Sequence, residues 1–147
     1  MPPRILSVGF ADLHQFLSLI STVGWEETLV ILQDAVSVVG DLIVQHGGHI
    51  RKYLGDAVLF SFDDPTQAVR AARAIALYRN VAQGQTVRFY VGVATGEVFE
   101  TEFGHPSNRT PDIFGQPVIR AIELIKAAKA SPDGVALCET TQKHVPN

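Results

Sequence analysis

A short apolar hairpin is the feature that most limits how this chain can fold. Residues 49–62 read HIRKYLGDAVLFSF, two extended, apolar-rich segments that meet at Gly55-Asp56. A glycine and an aspartate between two such segments favour a tight β-hairpin, with strands over His49 to Leu54 and Ala57 to Phe62. The pattern therefore predicts that Asp56 lies at the tip of the hairpin.

The segments before the hairpin predict one strand and two helices. Arg4 to Phe10 is short and apolar-rich, which favours a buried strand. Apolar residues then recur at helical spacing between Leu13 and Ile20, and Gly24 interrupts the pattern. A longer stripe from Leu29 to Ile43 predicts a second helix with a buried face.

The segments after the hairpin alternate between helix and strand. Asp64-Pro65 predicts a helix start, with the carboxylate as N-cap and proline at the first helical position. Thr86 to Thr95 predicts a strand that Gly96 interrupts, and the glycine, prolines and polar residues of Glu102 to Asp112 predict an exposed loop. A helix around Val118–Ile125 and a buried strand ending at Cys138 complete the pattern.

This order, β-α-α-β-β-α-β-α-β, predicts the fold class. Hairpin and crossover connections with helices able to cover one face indicate an α+β sandwich of the ferredoxin-like, split βαβ kind, with an antiparallel-rich sheet. We expect residues 1–147 to form a single domain, because this length gives about one hydrophobic core.

Composition excludes several classes of function. The formal charge of −3 has acids and bases interspersed, which argues against nucleic-acid binding. The single cysteine, Cys138, excludes an intrachain disulfide and fits a reducing compartment. No apolar run is long enough for a membrane span or a signal peptide, so we expect a cytoplasmic location.

Two aspartates form the first candidate site. Asp12 directly follows the first predicted strand and Asp56 lies at the hairpin tip, so both emerge at one end of the sheet if these strands are neighbours. Two carboxylates with few other protein ligands suit Mg²⁺ or Mn²⁺ that carries a polyphosphate. Taken singly, Asp12 also fits a helix N-cap and Asp56 a turn residue. Lys52, which by alternation shares a face with Ile50 and Leu54, fits either a lysine extended to the strand edge or a ligand contact.

Four motifs occur in the order found in one known family. They are FADL at 10–13, KYLGDA at 52–57, GVATGEV at 92–98 and DIFG at 112–115. In this order they resemble the class III nucleotide cyclase catalytic domain, the adenylate/guanylate cyclase homology domain. The resemblance covers about residues 4–141. The family usually continues into a further strand pair beyond the point where this sequence ends, at Asn147, so we expect the sheet to lack that pair.

The resemblance implies a site shared between two subunits of a head-to-tail dimer. Asp12 and Asp56 would hold two metal ions, with the backbone carbonyl of Leu13 as an extra ligand. Lys52 and Asp112 of the partner subunit would read the purine. A cationic donor and a carboxylate acceptor match N1 and the N6 amino group of adenine, so the resemblance implies ATP as substrate and cyclic AMP with pyrophosphate as products.

Two positions depart from the family pattern. The family carries an asparagine that orients the ribose and, four residues later, an arginine that stabilises the transition-state phosphate. Here these positions are Ile119 and Glu123. Arg120 is turned by about 100° from that helix face, and Arg109 belongs to the predicted loop.

Two cyclase-like functions therefore stay open, beside that of a plain ferredoxin-like interaction domain. The first is an adenylate cyclase that is weak alone or active with a homologous partner that supplies the missing asparagine and arginine. The second is an inactive cyclase-like module that binds nucleotide or transmits dimerisation in signalling. His46 and His49 form a further metal-ligand candidate, which lacks a third ligand.

Overall fold

The structure, a computed structural model, describes residues 1–145. The strands are β1 Arg4–Leu13, β2 His49–Leu54, β3 Ala57–Phe62, β4 Asn80–Ala82, β5 Gln85–Val87, β6 Phe89–His105, β7 Asn108–Phe114 and β8 Val135–Leu137. The helices are α1 Phe16–Gln45, α2 Pro65–Leu77, α3 Gln116–Glu123, α4 Ile125–Ala130 and α5 Glu139–Lys143.

The main sheet has the strand order β2-β3-β1-β6-β7, and β8 pairs in parallel with the first part of β6. All neighbours along β2-β3-β1-β6-β7 are antiparallel. The predicted α+β class and antiparallel-rich sheet are therefore confirmed, as is the hairpin at Gly55-Asp56. The short β4-β5 hairpin, which the sequence interpretation did not include, forms a separate two-stranded sheet.

Helices cover both faces of the sheet rather than one. One hydrophobic cluster packs α1 and α2 against alternate sheet residues, among them Leu13, Phe60, Phe62, Phe89 and Val93. A second cluster packs α3 and α4 against the opposite face, with Leu6, Val8, Phe10, Leu59, Ala94 and Val98. The alternation of side chains along β1, β3 and β6 supplies both clusters, since neighbouring residues point to opposite faces.

The predicted loop over Glu102 to Asp112 is wrong. Strand β6 runs through Gly96, pairs with β1 up to Val98 and then pairs with β7 from Phe99 to His105. We call residues Phe99–Phe114 the arm. Polar residues on an exposed hairpin resemble a loop in composition. Gly96 makes room for α3, because a Cβ there would lie 3.0 Å from Pro117.

The first strand is longer than predicted and the first helix begins later. Strand β1 includes Asp12 and Leu13, and α1 begins at Phe16 after Gln15, which adopts a left-handed conformation with φ 60°. Asp12 is therefore not a helix N-cap. Gly24 (φ 84°, ψ 172°) is non-helical and separates two helical segments within α1, as predicted. The predicted apolar stripe is wrong at Leu29, which is 52% exposed.

The C-terminal strand stops one residue before its predicted end. Cys138 lies outside β8, is half-buried and caps α5 by accepting a bond from the backbone of Thr141. Burial raises the pKa of its thiol, but hydrogen bonds from Thr141 and Thr95 outweigh that effect and the net pKa is lowered. Asn147, where the family would continue, lies outside the described residues. Within residues 1–145 no helix is long and apolar enough to cross a bilayer.

Candidate functional site

Asp12 and Asp56 meet at one end of the sheet. Strand β1 lies beside β3, and Asp12 pairs with Ala57, the residue after Asp56. The backbone N–H of Leu13 donates to the carbonyl of Asp56 at 3.1 Å, which fixes the hairpin tip against the end of β1. The structure thus brings together two carboxylates that are 44 positions apart in the sequence.

The two carboxylates are electrostatically unfavourable neighbours. Burial raises the pKa of Asp12, and the negative charge of Asp56 raises it further, while Lys129 acts in the opposite direction. Within residues 1–145, Asp12 forms no ion pair with a lysine, arginine or histidine. A bound cation would relieve this repulsion, since an opposite charge within a few ångströms favours the ionised form.

The donor set fits Mg²⁺ or Mn²⁺. Within the described part of the chain no group of three or more His, Cys, Asp and Glu residues could hold a metal ion. Hard cations such as Mg²⁺ accept one or two carboxylates and complete their coordination with water and phosphate oxygens. The use of the Leu13 carbonyl as a ligand stays a prediction. The same finding leaves His46 and His49 without the third ligand they would need.

Basic and aromatic side chains flank the carboxylates. Tyr90 lies opposite Asp12 in the β1–β6 register. The guanidinium of Arg88 lies 4.3 Å from the centroid of the Tyr90 ring, and the ring of His14 meets it edge-on at 5.1 Å. Burial lowers the pKa of His14, and the charges of Lys129 and Arg88 lower it further. Sequence reasoning missed Arg88, which directly precedes β6, and Tyr90, which lies on β6.

Lys52 and Asp112 form an ion pair within one chain. The Lys52 Nζ lies 3.0 Å from Asp112 Oδ2, and the other carboxylate oxygen accepts the N–H of Ile113 at 2.8 Å. The Lys52 side chain is 38% exposed and that of Asp112 13%, so the pair borders solvent. The fold thus brings together residues that the sequence separates by 60 positions.

The prediction that Lys52 shares a face with Ile50 is wrong. A register shift between these two residues pairs Ile50 with Phe60 but Lys52 with Leu59. Phe60 and Leu59 belong to the clusters on opposite faces of the sheet. A bulge inserts one extra residue, here Arg51, and so reverses the side of the following side chain. Lys52 does share its face with Leu54, which pairs with Ala57.

Helix α3 presents Ile119 and Glu123 to solvent. Ile119 is 53% exposed and lies beside a groove of about 860 Å³ between α3 and the middle of β6. Glu123 lies 4.0 Å from Arg120 in an i,i+3 pair, with both side chains more than half exposed. Arg109 is on the arm, where its Nε donates to the carbonyl of Gly104. Arg120 and Arg109 thus each contact another group of this chain.

The chain is similar to known nucleotide cyclases. It is 33% identical over 141 residues to an adenylate cyclase of Streptomyces coelicolor, a match that covers 95% of this chain and 34% of that protein. The chain thus spans about a third of the length of this curated relative. No family model matches the chain.

Solved structures show the same fold. A bacterial light-regulated adenylyl cyclase superposes with a TM-score of 0.84 at 18% identity, over 100% of this chain and 47% of the other. The guanylyl cyclase Cya2 superposes with a TM-score of 0.78 at 23% identity, over 100% of this chain and 82% of the other. Sequence similarity and fold together identify the chain as a cyclase-like domain of the adenylyl/guanylyl cyclase type, that is, a class III nucleotide cyclase homology domain.

Proposed function

We propose that this domain binds a divalent metal–ATP complex and converts ATP to cyclic AMP and pyrophosphate, weakly alone or efficiently with a complementing partner. The observation that carries the proposal is the pairing of residues far apart in the sequence. Asp12 meets Asp56 at the sheet end, and Lys52 meets Asp112 at 3.0 Å. Each pair has the chemistry that its proposed ligand requires.

The carboxylates and the ion pair would act on different parts of the nucleotide. Asp12 and Asp56 would hold Mg²⁺ or Mn²⁺ in a two-metal site against the triphosphate. The bound metal would supply Lewis-acid stabilisation of the phosphates and a lowered pKa for the ribose 3′-hydroxyl. Lys52 would donate to N1 of adenine and Asp112 would accept from its N6 amino group. Guanine presents the opposite donor and acceptor pattern at these atoms, so the pair favours ATP over GTP.

The reaction is an in-line attack of the ribose 3′-oxygen on the α-phosphorus, which expels pyrophosphate. It requires no covalent intermediate, so the protein contributes by holding the reacting groups in line. Ile119 offers no hydrogen bond to the ribose, and Glu123 places negative charge where negative charge develops. Loss of one electrostatic donor of this kind costs about 10²–10³ in rate. We therefore propose that a homodimer of this chain has low activity.

A head-to-tail dimer is part of the proposal. Exposed apolar side chains on the arm and α3 are consistent with a covered surface: Phe99, Phe103, Phe114, Ile119 and Ile122 are each more than a third exposed. The partner would be a second copy of this chain or a homologous domain that carries the missing asparagine and arginine.

A second candidate function rests on α3. The groove beside Ile119 is mainly apolar, and Glu123 is used in an ordinary surface pair with Arg120. These features favour a cyclase-like module without catalytic activity, which would bind nucleotide or transmit dimerisation to neighbouring domains.

The test is cyclic AMP formation by the purified chain with Mn²⁺ and ATP, measured beside Mn²⁺–ATP binding. Asp56→Ala is the control, because it removes one carboxylate from a half-buried position in a turn. We expect the parent chain to bind Mn²⁺–ATP and to form cyclic AMP slowly. We expect Asp56→Ala to lose both the binding and the product. Binding without any product above the control would favour the inactive module. Binding that survives Asp56→Ala would contradict the metal–nucleotide site itself.

A further inference from the structure

We propose that Arg51 and Glu100 are positioning residues for the purine. They hold the arm against β2 and so fix the distance between Lys52 and Asp112. This inference rests on the proposed function, because it assigns to that same nucleotide site two residues that do not contact the ligand.

The backbone alone does not set the distance between Lys52 and Asp112. Strand β2 lies at one end of the strand order and β7 at the other, so in the described residues no backbone ladder joins them. The arm reaches β2 only because β6 continues beyond its pairing with β1, which ends at Val98. Side-chain contacts must therefore hold the arm in place.

Glu100 provides those contacts. Its Oε2 accepts from Arg51 Nη1 at 2.9 Å, and its Oε1 accepts from Arg4. Arg51 Nε also donates to Ser61 Oγ at 2.7 Å, and this second bond fixes the guanidinium on β3. One carboxylate of the arm is thus joined to both β1 and β2. Hydrogen bonding from Arg51 is the main cause of a lowered pKa for Glu100.

The network lies directly beside the proposed purine pair. Arg51 precedes Lys52 and is the residue at which the strand register shifts. On the arm, Glu100 pairs with Ile113, the residue after Asp112. Arg51 is also the more enclosed member, with 18% of its side chain exposed against 31% for Glu100. A change of the Arg51–Glu100 distance therefore moves the strands on which Lys52 and Asp112 lie.

The test compares Glu100→Gln with Glu102→Gln, the same substitution two residues along the arm. Glu102 is exposed and forms no ion pair within residues 1–145. Affinities are measured for Mn²⁺–ATP and for Mn²⁺–tripolyphosphate, which lacks the purine. We expect Glu100→Gln to weaken ATP binding about fivefold, the upper range for an exposed ion pair, and to leave tripolyphosphate binding unchanged. Arg51→Gln should reproduce this result, and Arg51→Lys should retain part of the ATP affinity.

A second measurement determines the position of the arm relative to β2 in the absence of nucleotide. Spin labels at His49 and Ser107, introduced in a Cys138→Ser background, report the distance between β2 and the arm tip. We expect a broader distance distribution in Glu100→Gln and no change in Glu102→Gln.

The outcomes separate the two proposals. Equal loss of ATP and tripolyphosphate binding in Glu100→Gln, or an effect no larger than that of Glu102→Gln, would overturn the positioning role. A parent chain that binds neither ligand would contradict the proposed function. In that case the spin-label distances still test whether Arg51 and Glu100 hold the arm against β2. An unchanged distance distribution in Glu100→Gln would overturn that role.

Discussion

The end of the sheet that carries Asp12 and Asp56 and the exposed side of α3 differ in whether their charged side chains interact favourably. At the sheet end, Asp12 and Asp56 lie together although burial and mutual repulsion raise the pKa of Asp12. On α3, Glu123 lies within 4.0 Å of Arg120 and Ile119 borders an apolar groove, an arrangement that carries no electrostatic cost.

This difference indicates what each region is arranged to do. A pair of carboxylates whose burial and repulsion outweigh the favourable charge of Lys129 is typical of a ligand site, because a bound cation would stabilise it. A satisfied ion pair and an exposed isoleucine are typical of surface and interface residues. This contrast supports the proposal of a retained metal site beside a weakened transition-state site.

The largest expected effect comes from introducing the asparagine and arginine of the family pattern on α3. In Ile119→Asn with Glu123→Arg, an amide and a cation replace the alkyl group and the anion. We expect cyclic AMP formation to rise by at least about 10²-fold, since each such donor contributes roughly 10²–10³ in rate. The assay is cyclic AMP formation with Mn²⁺–ATP, and Ile122→Asn, on the same helix, is the control. No rise, with ATP binding intact, would show that activity is limited elsewhere.

The next effect concerns the choice of base. Asp112→Ala removes the proposed acceptor for the N6 amino group and leaves Lys52 without its partner. We expect the preference for ATP over inosine triphosphate, which has an oxygen in place of that amino group, to fall by about tenfold, the cost of one hydrogen bond to a charged group. Competition binding measures this ratio, with Glu102→Ala as the control. An unchanged ratio would mean that the base is not read at this pair.

A smaller effect separates stability from function at the sheet end. Because the folded state raises the pKa of Asp12, the ionised carboxylate opposes folding at neutral pH. Asp12→Asn should therefore raise the metal-free melting temperature by about 2–4 °C, the shift expected for ~1 kcal/mol in a domain of this size. Mn²⁺ should raise the melting temperature of the parent chain but not of this variant. Asp41→Asn, on the exposed side of α1, is the control. A lower melting temperature for Asp12→Asn would contradict the repulsion.

The smallest effect is the pH dependence of the arm contacts. Hydrogen bonding from Arg51 lowers the pKa of Glu100, burial opposes this, and the contacts with Arg4 add to the lowering, so the net pKa is lowered. The ionised carboxylate thus contributes stability at neutral pH that is lost as the pH falls through its folded-state pKa. The difference in unfolding free energy between the parent chain and Glu100→Gln should shrink on acidification from about pH 7 to about pH 3. Denaturant titrations at several pH values measure it. A difference independent of pH would show that the charge of Glu100 is not what stabilises the arm.

Some structural features followed from local sequence alone. The Gly55-Asp56 turn specified a hairpin because glycine supplies the positive φ, here 63°, that a tight turn needs. The N-cap at Asp64 and the proline after it fixed the start of α2, and the Asp64 carboxylate does accept the N–H of Thr66. These predictions held because each depends on neighbours within a few residues.

Other features depended on contacts between distant segments. The arm resembles a loop in composition, and only its pairing across the hairpin and its ion pairs to β1 and β2 make it extended. The register shift at Arg51 also left no mark in the alternation pattern, which is why the face of Lys52 relative to Ile50 was wrong. Bulges of this kind are set by the partner strand.

The sequence by itself determined the residue types that this domain has available: aspartates at positions 12, 56 and 112, a lysine at position 52, and no asparagine or arginine at positions 119 and 123. Side-chain identity is fixed before folding, so these residue types could be read directly. Tertiary structure decided which of them meet. Antiparallel pairing of β1 with β3 joins Asp12 to Asp56, and the arm joins Asp112 to Lys52 across strands that share no ladder. Such distances follow from packing and ion pairs across the whole sheet, which no local pattern encodes.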